Sequence, residues 1–99
     1  MALNVRWTSE SEDTFSDIIN YLEQEWTEKE IRKFAQKTQK IILQIAKNPK
    51  MYKATGKEEI RRAVITKQTS LFYHINEVSN LITLLAFWDN RKNPNDLIY

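Results

Sequence analysis

The sequence predicts an α+β domain with the order β-α-α-β-β-β, in which a helical hairpin packs on a mainly antiparallel four-stranded sheet. Three observations carry this. Two stripes of apolar residues recur at helical spacing within residues 9–47. Each begins at a hydroxyl residue with an acid three places on, the sign of a capped helix start. After Pro49 the period changes, and three short runs rich in β-branched and aromatic residues follow.

Leu3-Asn4-Val5-Arg6-Trp7 alternates apolar and polar, as a half-buried strand does. Ser9 with Glu12 reads as a capping box. Phe15, Ile18, Ile19, Leu22 and Trp26 then form one stripe of a helix over 9–25. Thr27 with Glu30 opens a second helix over 28–47, whose stripe is Ile31, Phe34, Ala35, Thr38, Ile41, Ile42 and Ile45. Asn48-Pro49 stops it, because proline disfavours helix in the residue before it. Residues 50–59 form a basic connection. Ile60–Thr66, Ser70–Asn76 and Leu81–Trp88 are expected strands, the last apolar on both faces and therefore central. The first strand must join their sheet, and the hairpin must cover one face. Phe15, Ile18, Leu22, Phe34, Ile41, Ile45, Tyr73 and Leu84 are the expected core.

The 99 residues are expected to form a single domain, 1–99. With 41% apolar and 28% charged residues, the chain belongs with folded rather than disordered proteins. It has no cysteine, which excludes disulfides, thiolate metal sites and cysteine nucleophiles. His74 is the only histidine, no carboxylates stand near it at ligand spacing, and no metal or cofactor is expected. Nor is there a glycine-rich phosphate loop, since Gly56 stands alone. The N-terminus lacks the pattern of a secretory signal, and no apolar run approaches the ~20 residues of a membrane span. A cytoplasmic protein without a membrane partner is expected.

Charge divides along the chain. Residues 1–30 carry two bases against eight acids, and residues 31–99 carry thirteen bases against five acids. The acids Glu10, Glu12, Asp13 and Asp17 suit the start of the first helix, where the helix dipole favours negative charge. Lys33, Lys37, Lys40 and Lys47 lie on the polar face of the second helix. Arg61 and Arg62 are adjacent on a strand, so one must face the helices and the other the open side. A buried arginine calls for a carboxylate such as Glu58 or Glu59, whereas one on the open side can grip a phosphate. Arg62 or Arg61, with Arg91, Lys92, Lys53 and Lys57, makes the candidate target-binding surface. Leu81, Leu85, Phe87 and Trp88 are the candidate partner-binding residues, on a strand with more apolar surface than a chain this small can cover.

Taken in order, these pieces resemble the RelE/ParE toxins of bacterial type II toxin–antitoxin systems, often labelled plasmid stabilisation proteins. Asp17-Ile18-Ile19-Asn20-Tyr21-Leu22 is similar to the family's "DI..YI" stretch. Phe34, Ile41, Ile45 and Asn48-Pro49 follow its second helix. Arg61 and Arg62 sit at the usual arginine, and Leu71-Phe72-Tyr73-His74-Ile75 is similar to its "L.Y.I" strand. Phe87–Pro94 resembles its closing "h.R.nP" segment. The resemblance covers about residues 3–97 and implies a growth-inhibiting toxin neutralised by a cognate antitoxin. ParE-like members bind DNA gyrase. RelE-like members cleave ribosome-bound mRNA without a metal, and for such a nuclease the catalytic candidates here are Arg61, Arg62, Arg91 and Tyr99. Two departures favour the gyrase branch, and so a toxin that is not an enzyme. Ser70 stands where nucleases often place an arginine, and Leu97 falls where they carry a catalytic tyrosine, with Tyr99 two residues on. The alternatives are the nuclease and a non-toxic RNA- or protein-binding module.

Overall fold

The computed structural model describes residues 2–90. Strand β1 (Asn4–Trp7) leads into helices α1 (Ser9–Glu25) and α2 (Glu28–Lys47). Four strands follow: β2 (Lys53–Ala54), β3 (Ile60–Thr66), β4 (Thr69–Asn76) and β5 (Leu81–Asp89). They form one sheet in the order β1-β5-β4-β3-β2. β1 runs parallel to β5, and the other neighbours are antiparallel. This is the expected α+β architecture with one strand more. The extra strand, β2, is two residues within the basic connection, too short to show a period. It exists because the chain turns at Gly56 and lies back along Arg61 and Arg62.

Both helices have the expected bounds, but the first is capped differently. Its cap is Thr8, not Ser9: the Thr8 hydroxyl accepts the Ser11 N–H at 3.0 Å. The same hydroxyl donates to the Leu84 carbonyl at 2.8 Å, so a contact with β5 fixes where the helix begins. At α2 the capping box is complete, Thr27 and Glu30 exchanging side-chain-to-backbone bonds at 3.3 Å each. α2 ends at Asn48, before Pro49.

The core lies between the hairpin and the sheet. Leu22, Phe34, Ile41, Ile42 and Ile45 come down from the helices onto Ala63, Leu71, Tyr73, Ile82 and Leu84. Phe15 and Ile18, expected in the core, are half-buried at its margin. Phe15 is central to an aromatic cluster, with ring centroids 5.0 Å from Phe87, 5.7 Å from Trp7 and 6.0 Å from Phe34.

β5 carries a bulge. Its register with β4 passes from Tyr73↔Leu84 to Phe72↔Ala86, skipping Leu85. An extra residue reverses the facing of everything beyond it. Unbroken alternation from Ile82 and Leu84 would turn Phe87 outward. The bulge turns it into the core, and its N–H donates to the Thr14 hydroxyl of α1 at 2.9 Å.

A second tie holds the connection after α2. The buried Tyr73 hydroxyl donates to the Pro49 carbonyl at 2.6 Å, and the Tyr52 ring stands edge-on to Tyr73. Desolvation raises the pKa of the Tyr73 phenol above the ordinary tyrosine range, and the neighbouring Tyr52 adds to this while Arg61 opposes it.

Two stability changes are expected. Phe34→Ala removes a ring that is only 4% exposed and should cost about 3–5 kcal/mol in chemical denaturation. Tyr73 adds a pH dependence. Below about pH 10 both folded and unfolded phenols are neutral, and above it the unfolded one ionises first. Stability should therefore fall as pH rises past that point. Tyr73→Phe should flatten part of the fall while costing about 1–3 kcal/mol near neutrality.

Candidate functional site

Both helices pack on the same side of the sheet, and the side away from them is called the open face, although Phe72, Ala86, Ile60 and Ser70 on it are buried. Cross-strand partners share a face, and the register reads out what stands there. One row is Lys53–Arg62–Phe72–Ala86, and the next is Arg6–Thr83–His74–Ile60. Val64–Ser70–Trp88 and Asn4–Leu81–Asn76 flank them. The face thus has the cations Arg6, Lys53 and Arg62 beside His74. None of its strand residues is a carboxylate.

The arginine pair divides as adjacent strand residues must. Arg61 turns to the helix side, where its Nη1 donates to the backbone carbonyls of Tyr52 at 2.7 Å and Lys50 at 3.2 Å. Its partners are carbonyls, not the carboxylates of Glu58 or Glu59, because the connection after α2 passes directly beneath it. Its Nε is buried without an acceptor. Arg61 therefore pins the connection and does not stand on the open face with the other cations. Arg62 does. Its Nε donates to the Ser70 hydroxyl at 2.9 Å, and its Nη2 to Asn90 Oδ1 at 2.9 Å. Ser70 donates to the same Asn90 oxygen at 2.7 Å. Asn90 is held in turn by its N–H to the Gln68 carbonyl at 2.8 Å and by its side-chain amide to the Lys67 carbonyl at 3.3 Å. The network fixes the Arg62 fork and the point from which the chain continues to Arg91.

The other candidates are placed as follows. Lys53 is beside Arg62 in the same row. Lys57 is exposed in the turn before β3, at the His74 end of the face. Leu81, Leu85 and Trp88 are half-buried, whereas Phe87 is in the core, so it gives a partner no surface. The bulge is the reason. Arg91, Lys92 and Tyr99 lie outside the described residues. Sequence reasoning missed Arg6 and Asn90. Arg6 could have been found from the alternation of residues 3–7, which puts it opposite Val5 and Trp7. Asn90 could not, since only the fold brings it to Arg62.

Chemically the face is a cationic, partly apolar platform suited to phosphates or carboxylates. Among the described residues no group of side chains is arranged to hold a metal. No helix there is long and apolar enough to cross a membrane.

A helical hairpin on a mixed sheet defines an α+β fold that solved structures share. The toxin–antitoxin complex RelBE2 from Mycobacterium tuberculosis superimposes with a TM-score of 0.60 at 11% identity, over 91% of this chain and all of that one. No curated protein matches the sequence. The family model for the ParE toxin of the type II toxin–antitoxin system parDE matches residues 5–94, and the chain belongs to that family.

The two arginines should respond oppositely to substitution. Arg61→Ala strips the Tyr52 carbonyl of its donor and should cost about 1–3 kcal/mol in chemical denaturation. Arg62→Ala, on the exposed face, should stay within about 1 kcal/mol of wild type.

Proposed function

We propose that this protein is the toxin of a type II toxin–antitoxin module, acting in the bacterial cytoplasm by binding DNA gyrase and neutralised by a cognate antitoxin. Membership of the ParE toxin family supports the toxin and the antitoxin partner, and the likeness to RelBE2, whose structure is a toxin–antitoxin complex, agrees with them. The observation that carries the choice of target is the Ser70 site. A nuclease needs a phosphate clamp and a proton acceptor poised together. Here Ser70 replaces the arginine such enzymes often use, and its hydroxyl is spent on Arg62 and Asn90. The surface offered to the target comprises Arg62, Lys53, Arg6 and, beyond the described residues, Arg91 and Lys92. Binding alone then inhibits growth, without catalysis.

One observation favours the nuclease reading: His74 and Arg6 flank Thr83 on the open face, within reach of one bound strand. Two assays on the purified protein separate the readings. Inhibition of gyrase supercoiling, with mRNA left intact in a purified translation system, is the expected result. Ribosome-dependent mRNA cleavage with gyrase unaffected would reverse the assignment. Absence of growth arrest on expression would leave only a non-toxic binding module. Arg62→Ala and the Arg91→Ala, Lys92→Ala pair should each raise the concentration for half-inhibition about tenfold, a loss of about 1.4 kcal/mol. Full potency in both folded variants would rule the surface out.

A further inference from the structure

A cavity of about 320 Å³ lies on the helix side of the sheet, between α1 and the paired ends of β4 and β5. That volume is at the lower end of the range for small-molecule sites. Asp17, Ile18 and Tyr21 line it from α1, and Thr69, Phe87 and Asp89 line it from the sheet. The register explains the sheet wall. Leu71 pairs with Phe87 and Thr69 with Asp89, so alternation turns Thr69 and Asp89 to the same side as the buried Phe87. On the helix, Asp17 and Tyr21 are four residues apart and share a face.

Three features of the lining select a ligand. The first is charge. A carboxylate stands on each wall and none of the described lining residues is basic, in a chain whose net charge is +2. Asp17 is exposed and makes no ion pair among the described residues. Asp89 can accept more than one hydrogen bond, as any carboxylate can. The second feature is Thr69. It is only 7% exposed, and its hydroxyl has no hydrogen-bond partner among the described residues. Leaving a buried hydroxyl without a partner is unfavourable, and a donor placed in the cavity would supply one. The third is the apolar floor of Ile18 and Phe87, beside Tyr21, whose ring type attracts a cation.

We propose that this cavity binds a short aliphatic dication, a diamine or an amino-guanidine. Its alkyl body would lie on Ile18 and Phe87, and its charged ends would meet Asp17 and Asp89. Ammonium and guanidinium groups carry donors and no acceptor, which suits two carboxylates and a spare hydroxyl oxygen. A divalent metal ion would find only two carboxylates, short of a ligand set, and would leave the apolar floor without contact. A basic side chain of another protein carries its charge at one end only, whereas the cavity has a carboxylate on each of two walls. Asp89 directly precedes Asn90, the acceptor for Arg62 and Ser70, so the cavity adjoins the chain that holds the open-face network.

The test is isothermal titration calorimetry of agmatine, an amino-guanidine, into the full chain. Saturable one-to-one binding with a Kd below about 1 mM is expected for a ligand of this size. The neutral analogue butane-1,4-diol should give no heat. The monocation n-butylguanidine should bind at least ~10-fold more weakly, having lost one charge-assisted hydrogen bond. Asp17→Asn should weaken agmatine binding by a similar factor. Thr69→Val keeps the shape of the side chain without its hydroxyl and should weaken binding about fivefold. Circular dichroism and the melting temperature of each variant without ligand should stay near wild type. No saturable heat at ~10 mM agmatine, ten times the expected upper Kd, would overturn the proposal. So would equal affinity in both folded variants, equal binding of n-butylguanidine, or displacement of agmatine by an equal concentration of magnesium. Tighter binding of a blocked lysine tripeptide than of agmatine would also overturn it, assigning the cavity to a side chain of a partner protein. Failure of the wild-type protein to inhibit gyrase would sink the proposed target and leave this titration untouched.

Discussion

One extra residue in β5, held by the hydroxyls of Thr8, which caps α1, and of Thr14 within it, decides what each side of this sheet presents. The register between β4 and β5 skips Leu85. Thr8 caps α1 and donates to the carbonyls of Leu84 at 2.8 Å and Leu85 at 3.2 Å, and Thr14 accepts the Phe87 N–H. Backbone groups that a bulge removes from the ladder would otherwise be stranded between helix and sheet, at a cost comparable to a lost hydrogen bond each. With the bulge satisfied, Phe87 enters the core and closes an aromatic cluster with Trp7, Phe15 and Phe34. Ala86, Trp88 and Asn90 come round to the open face. Without it, Phe87 would lie outside and Asn90 would point away from Arg62.

The Arg61–Arg62 pair shows how little sequence separates structure from function on a strand. Both are arginines in the same turn-to-strand context, and both make two hydrogen bonds or more. Arg61 makes them to backbone carbonyls of the connection after α2, and burial leaves its Nε without an acceptor. Arg62, itself exposed, makes one bond to the buried Ser70 and one to Asn90 that water can reach, where the net stabilisation is small. An anion can displace the second kind of contact cheaply. It cannot displace the first without loosening the chain between α2 and β2.

The hairpin and the meander were legible in the sequence because each has a period long enough to read: seventeen and twenty residues of helical stripe, and three strands of seven to nine residues. What was not legible depends on contacts distant in sequence. Thr8 outcompetes Ser9 as the cap because Leu84, seventy-six residues away, accepts its hydroxyl proton. β2 is two residues of lysine and alanine, neither a strong strand former, and only pairing with β3 makes it a strand. The Leu85 bulge has no glycine or proline to mark it, so alternation alone sends Phe87 the wrong way. Of the open face, Arg62, Lys53 and His74 could be read from type and parity. The link through Ser70 to Asn90 required the register of β3, β4 and β5 together.

Two cationic surfaces lie back to back, and this constrains how a toxin of this shape can be silenced. Lys33, Lys37 and Lys40 on α2 lie on one side of the core and sheet, and Arg62 and Arg6 on the other. A partner that covers both must be bulky or must continue around an edge of the sheet. The shorter route passes β2, which pairs only with Arg61 and Arg62 and leaves the outer side of Ala63–Thr66 without a strand partner among the described residues. Val64 is half-exposed there, and Lys53 and Arg62 stand immediately beside it on the open face. A segment running from the lysines of α2 past Tyr52 and over that edge would arrive at Arg62 first. The geometry therefore lets a single partner chain reach both surfaces through its own connectivity, with no conformational change required of the fold itself.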